Sequence, residues 1–304
     1  MKLIYVWILL LCSHVGFAAI EFSSLLYDYS GIPDLRQYQA RDGARLDFRY
    51  YPSSSKNLMI ILHGSGYHSR YLYKLAKTLS DNNVAQVVTP DLRGHGIKPA
   101  TRGDIGYLGQ LDDDLDDFLK FCHNTYHAEK IFIAGHSSGG GLALRLMGNQ
   151  KRPQADGYVL LSPYLSHDAP TTNAQSGWAK PLLIKIILAH MLNGFGFHWL
   201  DHTVTIKFSM PKQYRDGSET LAYTHALITS MSPVDFQSDV QMTSKKTLIA
   251  VGENDEAMHA HEYQKLVSKN KNFEVTVMPH MNHMGIVVNE SAIIAISTWL
   301  RRNF

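Results

Sequence analysis

Cysteine is nearly absent from this chain of 304 residues, which contains two. Two cysteines form at most one bridge, so the sequence excludes a disulfide framework of the kind that holds small secreted domains together. Clustered basic charge is absent as well, because the formal net charge is +2 and no long run of lysine and arginine occurs. The chain therefore lacks the charged surface typical of nucleic-acid binding, and we predict no nucleic-acid partner.

Hydrophobic runs long enough to span a bilayer are also missing. The first apolar stretch, residues 3–11, is too short to cross unaided. It follows a lysine and precedes the small-x-small triplet Gly16-Phe17-Ala18, a pattern typical of a cleaved export signal. We predict a signal peptide over residues 1–18 and an exported protein, periplasmic or secreted. An uncleaved N-terminal anchor to a membrane is the alternative, whereas the bulky leucine before Cys12 argues against a lipoprotein.

The chain does contain 45% hydrophobic residues, many of them in short apolar runs separated by helix-compatible segments. A continuous run such as Leu58–Leu62 fits a strand that is covered on both faces, as in a parallel sheet. The alternation of strand and helix predicts an α/β fold with a mostly parallel, doubly wound sheet. This α/β core covers residues 19–162 and 242–304. Between them the regular alternation of strands and helices stops, which predicts a mainly helical insertion over residues 163–241.

A helix predicted over residues 108–126 has aspartates between its apolar positions. They favour a solvated helix face near the N-terminus over a metal site. Cys122 lies on the apolar face and is predicted to be a core residue. The aspartates are Asp112, Asp113, Asp114, Asp116 and Asp117.

One stretch combines a strand, a sharp turn and a helix around a serine. Lys130–His136 is rich in β-formers, Ser137 follows within the pattern Gly-x-Ser-x-Gly, and Leu142–Met147 is compatible with a helix. A strand that turns directly into a helix strains the central residue and lifts its hydroxyl clear of the sheet. The five-residue pattern occurs by chance in roughly one chain in ten of this length. The flanking elements therefore carry the prediction that Ser137 is a nucleophile.

Two later strand ends supply an acid and a base. Asp255 and His283 each follow a predicted strand, and functional residues gather at the carboxyl ends of strands in doubly wound sheets. Serine becomes a strong nucleophile when a base takes its proton and a third group orients that base. Neighbouring residues compete for these roles: Glu253 and Glu256 as the acid, and His280 as the base.

Five motifs at strand ends occur together in a known family. They are His63-Gly-Ser-Gly-Tyr-His-Ser-Arg-Tyr71, Asp91-Leu-Arg-Gly-His-Gly96, Gly135-His-Ser-Ser-Gly139, Gly252-Glu-Asn-Asp255 and Asn282-His283. With them the chain resembles the α/β-hydrolases of the monoacylglycerol lipase and lysophospholipase group, over most of residues 57–304. The insertion corresponds to that family's cap. The chain departs from the family's pattern in two places. Ile97-Lys98 stands where a serine is usual, and the cap sequence has no motif from which a substrate can be assigned.

The resemblance implies an α/β-hydrolase fold and a catalytic set of Ser137, Asp255 and His283, in the chain order of that fold. It favours Asp255 over the adjacent glutamates, and it favours His283 over His280 because the family's histidine precedes an apolar residue. His280 would then line the site.

The same resemblance implies an oxyanion hole made of two backbone N–H groups, those of Ser65 and Ser138. A simple strand-to-loop turn is the alternative for the glycine-rich segment His63–Gly66. No cofactor and no metal are implied. His259-x-His261 and His280-x-x-His283 have spacings found in metal sites, but no matching carboxylate or cysteine set accompanies them.

The implied function is hydrolysis of a lipid-like carboxylic ester through an acyl-enzyme on Ser137. A monoacylglycerol, a lysophospholipid or a short-chain acyl ester would serve as substrate. The apolar segment Pro181–Leu188 would cover an acyl chain or pack within the cap. At that length it can contact a membrane surface but not span it, so we expect peripheral membrane contact through the cap or the N-terminus.

Two other functions stay open at the level of sequence. A peptidase of the proline-iminopeptidase type shares the fold and the catalytic set, and it needs acidic groups in the cap to hold a free amine. A non-catalytic binding protein on the same fold would have lost one of the three catalytic side chains, and none is lost. The acidic residues of the cap are scattered: Asp168, Asp201, Asp216, Glu219 and Asp235.

Overall fold

The computed structural model describes residues 20–304. The predicted signal peptide, the alternative anchor and Cys12 lie outside the described residues. Within the described part of the chain, no helix is long and apolar enough to cross a membrane.

Strands and helices alternate along most of the chain. The strands are β1 (Arg36–Gln39), β2 (Arg45–Tyr51), β3 (Asn57–Leu62), β4 (Gln86–Pro90), β5 (Lys130–His136), β6 (Gly157–Leu161), β7 (Ala179–Pro181), β8 (Val204–Phe208), β9 (Ala222–Thr224), β10 (Lys246–Gly252) and β11 (Phe273–Met278). The helices are α1 (Tyr73–Asp81), α2 (Gln110–Tyr126), α3 (Ser138–Gly148), α4 (Leu183–Gly194), α5 (His225–Met231), α6 (Phe236–Met242), α7 (Glu262–Val267) and α8 (Glu290–Asn303).

A single eight-stranded sheet forms the centre of the molecule, in the order β1-β2-β4-β3-β5-β6-β10-β11. The first two pairings, β1 with β2 and β2 with β4, are antiparallel, and the pairings from β4 to β11 are parallel. The central strands are buried because helices cover both faces, which explains their continuous apolar runs. The predicted doubly wound, mostly parallel sheet is confirmed.

The parallel arrangement brings the carboxyl ends of β3, β5, β10 and β11 to one edge of the sheet. The loops that leave these ends carry the serine, acid and histidine predicted from the sequence. This edge is where ligands bind in open α/β sheets.

The prediction of a solvated aspartate face on α2 was wrong. Asp112, Asp114 and Asp116 are buried, and each pairs with an arginine from another element. Arg145 on α3 contacts both carboxylate oxygens of Asp112 at 2.8–3.0 Å. The sequence pattern failed because partners distant in the chain decide whether a carboxylate can be buried. Cys122 is buried as predicted.

The segment between β6 and β10 leaves the main sheet and forms a cap. It contains α4, α5 and a three-stranded antiparallel sheet of β7, β8 and β9 that the sequence did not predict, whereas α6, near the end of the segment, packs on α3 and α7 of the core. The alternating pattern of Val204–Phe208 was a strand signal that could have been recognised.

Residues 20–26, called here the N-terminal arm, lie across the molecule before the first strand. Ile20 and Phe22 are buried. The ring of Phe22 packs against Trp178 and Tyr214 of the cap, with ring centroids 5.6 Å apart in each case. The arm therefore joins the cap to the core at the edge of the sheet where the predicted site lies.

Candidate active site

Ser137 occupies the turn between β5 and α3, in a backbone conformation that side-chain-bearing residues rarely adopt (φ 55°, ψ −121°). The strand enters the helix without an intervening loop, so the serine takes the strain of the turn. A β-carbon on Gly135 would collide with the carbonyl group of Gly139, and one on Gly139 would lie 2.5 Å from the carbonyl oxygen of His63. Glycine at both positions is therefore required for this close approach.

Asp255 and His283 meet above the ends of β10 and β11. Nδ1 of His283 lies 2.9 Å from each carboxylate oxygen of Asp255. Oδ1 of Asp255 also accepts the N–H groups of Ala257 and Met258, each at 2.9 Å. These bonds hold the carboxylate in place. Because the carboxylate accepts a hydrogen bond from Nδ1 of His283, the ring proton stays on Nδ1 and Nε2 is free to act as a base.

The charges of this pair stabilise one another in a buried place. Burial alone would raise the pKa of Asp255, but the adjacent His283 and the N–H donors outweigh it and hold the pKa below its ordinary value. Burial alone would lower the pKa of His283, but the carboxylates of Asp255 and Glu256 outweigh it and raise the pKa above its ordinary value. The arrangement therefore favours an imidazolium facing a carboxylate.

The glycine-rich loop after β3 is held by buried aromatic side chains. The N–H of Gly64 donates to Oη of Tyr71 at 2.7 Å, and the N–H of Gly66 donates to Oη of Tyr223 at 2.8 Å. Between them, Nδ1 of His63 lies 2.8 Å from the carbonyl oxygen of Gly64. The N–H of Ser65 has no acceptor among residues 20–304. The loop is more than a simple turn, because hydrogen bonds fix the N–H groups of Gly64 and Gly66, and the N–H of Ser65 between them is available to a ligand.

The N-terminus of α3 presents a second such donor. Ser138 directly follows Ser137, and in the described chain its N–H has no intramolecular acceptor. Helix N-termini favour negative charge because their first N–H groups are unpaired. Ser65, Ser137 and Ser138 line one hollow, and an oxyanion hole formed by the N–H groups of Ser65 and Ser138 stays a prediction.

Two of the competing candidates, His280 and Glu253, do not contact the Asp255–His283 pair. His280 is exposed, and its N–H lies 3.3 Å from Oε2 of the exposed Glu253. The expectation that His280 lines the site is therefore wrong, because a left-handed turn after β11 directs it to solvent. His259 and His261 are also exposed, and the described residues contain no group of three or more side chains suited to a metal.

Three residues near the site make contacts that the sequence did not predict. Tyr71 connects the glycine-rich loop to His136, and Trp178 of the cap donates through Nε1 to Oγ of Ser65 at 3.0 Å. Oε2 of Glu256 accepts the N–H of His283 at 2.9 Å. Tyr71 was visible as the last residue of a motif, and Glu256 as a competing acid. Trp178 had no sequence signal.

Two hollows meet at Ser137. The larger one, of about 170 Å³, is mainly apolar and lies under the cap. The smaller one, of about 10 Å³, adjoins the N-terminal arm and is also lined by His283. Ser65, Ser137 and Trp178 line both. The larger hollow is lined further by Tyr164, Ala179, Pro181, Ile206, Phe208, Ile228 and Met258.

Residues 53–291 match the Hydrolase_4 family, described as serine aminopeptidase, S33. The chain belongs to this family. The match covers both parts of the sheet and the cap between them.

Curated relatives of this Hydrolase_4 protein include lipid hydrolases. It is 32% identical over 109 residues to phospholipase YtpA of Bacillus subtilis, covering 36% of this chain and 40% of the relative. It is 26% identical over 155 residues to the monoglyceride lipase of Saccharomyces cerevisiae, covering 46% and 49%. It is 29% identical over 132 residues to human monoglyceride lipase, covering 43% of each chain. These matches therefore span less than half of each relative.

Solved structures are similar to this protein over most of its chain. The Saccharomyces cerevisiae monoglyceride lipase, solved as a soluble variant with a substrate analogue, has a TM-score of 0.70 at 17% identity and covers 91% of this chain and 97% of its own. The monoacylglycerol lipase of Paleococcus ferrophilus has a TM-score of 0.64 at 19% identity, covering 84% and 98%. The predicted α/β-hydrolase fold and the resemblance to this group are confirmed.

Proposed function

We propose that this protein is a serine hydrolase that cleaves carboxylic esters through an acyl-enzyme on Ser137. One observation carries the proposal. The strained Ser137 at the end of β5 lines the same cavity as His283, and His283 is hydrogen-bonded to the buried Asp255. A serine, a base and an orienting acid in this relation are sufficient for nucleophilic acyl transfer.

In the first step, Nε2 of His283 takes the proton of the Ser137 hydroxyl while Oγ attacks the ester carbonyl carbon. The carbonyl oxygen becomes an oxyanion and accepts the N–H groups of Ser65 and Ser138. Each such donor contributes about 3–4 kcal/mol to the transition state because it is already directed at the developing charge. Asp255 holds the imidazole in its Nδ1–H tautomer and stabilises the imidazolium.

In the second step, the tetrahedral intermediate collapses and the bond to the alcohol oxygen breaks. The imidazolium of His283 gives its proton to the departing alkoxide, which leaves as the alcohol. Water then attacks the acyl-enzyme, its proton passing to His283, and a second collapse returns that proton to Oγ of Ser137. The products are one alcohol and one carboxylic acid, and no cofactor or metal takes part.

The substrate class follows from the lining of the larger hollow. Apolar side chains such as Ile206, Phe208 and Met258 surround it, so an acyl chain is a better occupant than a charged group. We therefore place monoacylglycerols, lysophospholipids and other acyl esters first. The printed names of relatives, phospholipase and monoglyceride lipase, support a lipid-like ester.

The exposed apolar residues on the outer face of the cap favour a membrane surface as the place where the enzyme acts. Helix α4 and the turn after it expose large apolar side chains close to Pro181, which lines the larger hollow. An apolar face of this kind, with aromatic residues and nearby lysines, suits the surface of a bilayer. We propose that the cap rests on lipid and that an acyl chain enters beneath it. The exposed residues are Leu183, Ile184, Ile187, Leu188, Met191, Phe195, Phe197 and Trp199.

A peptidase of the aminopeptidase type is the second candidate, favoured by the family's description. Such an enzyme holds the free amine of its substrate with acidic side chains. No aspartate or glutamate lines the larger hollow. Of the cap acids, Asp216 pairs with Arg70, and Asp201 bonds His198 and His225. These contacts favour the ester.

Covalent labelling tests the proposal. A fluorophosphonate probe should label the wild-type protein and should not label Ser137→Ala, whereas the surface control Ser291→Ala should be labelled fully. Wild-type protein that resists the probe as completely as Ser137→Ala would leave a non-catalytic binding protein as the better description. A panel of p-nitrophenyl esters, monoacylglycerols and aminoacyl anilides then separates the two enzymes, and preference for the anilides would favour the peptidase.

Export from the cytoplasm is also a proposal, because it rests on residues 1–18 of the sequence. Cell fractionation with an intact N-terminal segment would test it. Recovery of the protein in the cytoplasmic fraction would contradict it.

A further inference from the structure

The two hollows at Ser137 differ in the side chains that close them. The larger hollow is bounded by the cap, and His283 does not line it. The smaller hollow is lined by His283 and by Ile20, Phe22 and Leu25 of the N-terminal arm. With about 10 Å³ of space, it has room for roughly one water molecule.

The chemistry proposed above assigns the two parts of an ester to these hollows. The departing alkoxide must receive its proton from Nε2 of His283, so the alcohol has to lie on the side of that histidine. The acyl chain then extends away from it, into the larger apolar hollow. The smaller hollow is therefore the subsite of the leaving alcohol.

The N-terminal arm forms the wall of this subsite. Ile20 is 5% exposed and Phe22 is 2% exposed. Both line the smaller hollow, and Phe22 packs on Trp178, which in turn donates to Oγ of Ser65. The arm and the glycine-rich loop are thus in contact through one tryptophan.

Hydrogen bonds hold the arm at the same place. The N–H of Glu21 donates to Oε1 of Glu256 at 3.1 Å, and Oε2 of the same carboxylate accepts the N–H of His283 at 2.9 Å. On the cap side, Oη of Tyr214 lies 3.3 Å from Oε1 of Glu21. The arm is therefore connected both to the histidine loop and to the cap, as expected for a fixed wall.

We propose that the N-terminal arm determines specificity for the alcohol: the side chains of Ile20 and Phe22 narrow its subsite, so that among the acyl esters proposed above, esters of small alcohols are cleaved faster than monoacylglycerols and lysophospholipids. This inference rests on the proposed ester hydrolysis. With the arm in place, an ester of methanol is cleaved faster than the glycerol ester of the same acid. Removal of the two side chains opens the subsite to glycerol.

The experiment compares two substrates with one acyl group, methyl hexanoate and monohexanoylglycerol, on the full-length chain. The quantity measured is the ratio of kcat/KM for the methyl ester to kcat/KM for the glyceryl ester. We expect this ratio to fall at least about fivefold in the double variant Ile20→Ala, Phe22→Ala. We expect it to rise in Phe22→Trp, because a larger ring narrows the subsite.

A matched control changes the other hollow. Ile206→Ala enlarges the acyl side, so it should change the preference between hexanoate and decanoate methyl esters and leave the alcohol ratio within twofold of wild type. Circular dichroism of each variant shows whether it is folded, and Phe22→Trp keeps the test informative if the double alanine variant unfolds.

The outcomes separate this inference from the proposed function. If the wild-type protein is labelled by a fluorophosphonate and cleaves both esters, but the alcohol ratio is the same in all arm variants, the arm does not determine specificity. If the protein cleaves neither ester and resists the probe, the proposed function itself fails.

Discussion

Oη of Tyr71 lies 2.8 Å from Nδ1 of His136, and both side chains are fully buried. Nε2 of the same histidine lies 3.1 Å from the carbonyl oxygen of His283. Burial lowers the pKa of His136 to about 3, so the ring is neutral and donates through Nε2 while Nδ1 accepts from the tyrosine. Since Tyr71 also accepts the N–H of Gly64, one chain of hydrogen bonds links the glycine-rich loop, the turn at the serine and the histidine loop.

Tyr71→Phe should therefore impair the reaction by breaking this chain of hydrogen bonds, while the ring that lines the smaller hollow is kept. The substitution removes the acceptor of the Gly64 N–H and the donor to His136, leaving two buried polar groups unpaired. We expect kcat/KM to fall about 5- to 100-fold, the equivalent of about 1–3 kcal/mol. The loss should appear mainly in kcat, because the neighbouring Ser65 N–H is used in the transition state. Tyr158→Phe, a buried tyrosine remote from the site, is the control, and an equal loss in both variants would indicate general destabilisation.

The pH dependence of kcat/KM should depend on Glu256. His283 acts as a base only when neutral, so activity is lost as the pH falls through its pKa. Asp255 and Glu256 raise that pKa above the ordinary value of about 6.5. Glu256→Gln removes one negative charge, lowers the pKa of His283 and moves the acid limb of the profile to lower pH.

Glu253→Gln provides the matched control for this prediction. It makes the same change of charge at an exposed glutamate that bonds His280 rather than His283. The acid limb should stay within about 0.2 pH units of wild type, given the screening of exposed charge. Equal shifts in the two variants would mean that Glu256 acts through overall charge and not through its contact.

The exposed face of α4 should bind lipid. The double variant Ile184→Asp, Ile187→Asp places charge on the apolar face, so co-sedimentation with phosphatidylcholine–phosphatidylglycerol vesicles should fall at least about tenfold. Hydrolysis of a soluble short-chain ester should change less than twofold. Ile294→Asp on α8, a residue with 64% exposure, is the control for added surface charge. Vesicle binding that persists at the wild-type level in the double variant would exclude α4 as the contact.

The ion pair between Arg145 and Asp112 should matter for folding. Arg145→Met leaves the Asp112 carboxylate buried without its partner, so the free energy of unfolding should fall by about 3–5 kcal/mol. Lys77→Met removes a lysine from an exposed pair with Asp81 and should change it by at most about 1 kcal/mol. Urea denaturation measures both. Similar losses in the two variants would show that the burial of the α2 aspartates has no energetic consequence.

The positions of the sheet strands were largely predictable, whereas the edges of the fold were not. β2, β3 and β11 have the predicted bounds, because β3, which is covered on both faces, is apolar throughout, and the partly covered β2 and β11 alternate clearly. β1 was missed, since Arg36–Gln39 is an edge strand with one buried residue and therefore little pattern. The cap sheet was missed because β7 and β9 have only three residues each, too few for a pattern, although the alternation in β8 was a usable signal.

The sequence by itself determined the local structural features of the site. They are the turn that strains Ser137, the glycines that permit this turn, and the positions of Asp255 and His283 just after strands. Such features depend on neighbouring residues, so they leave a mark in a short stretch of sequence. Only the tertiary structure decided which distant groups meet, including the arginines that pair with the α2 aspartates, Glu256 at the histidine loop and the arm against Trp178. These contacts depend on packing between segments far apart in the chain, and no local pattern encodes them.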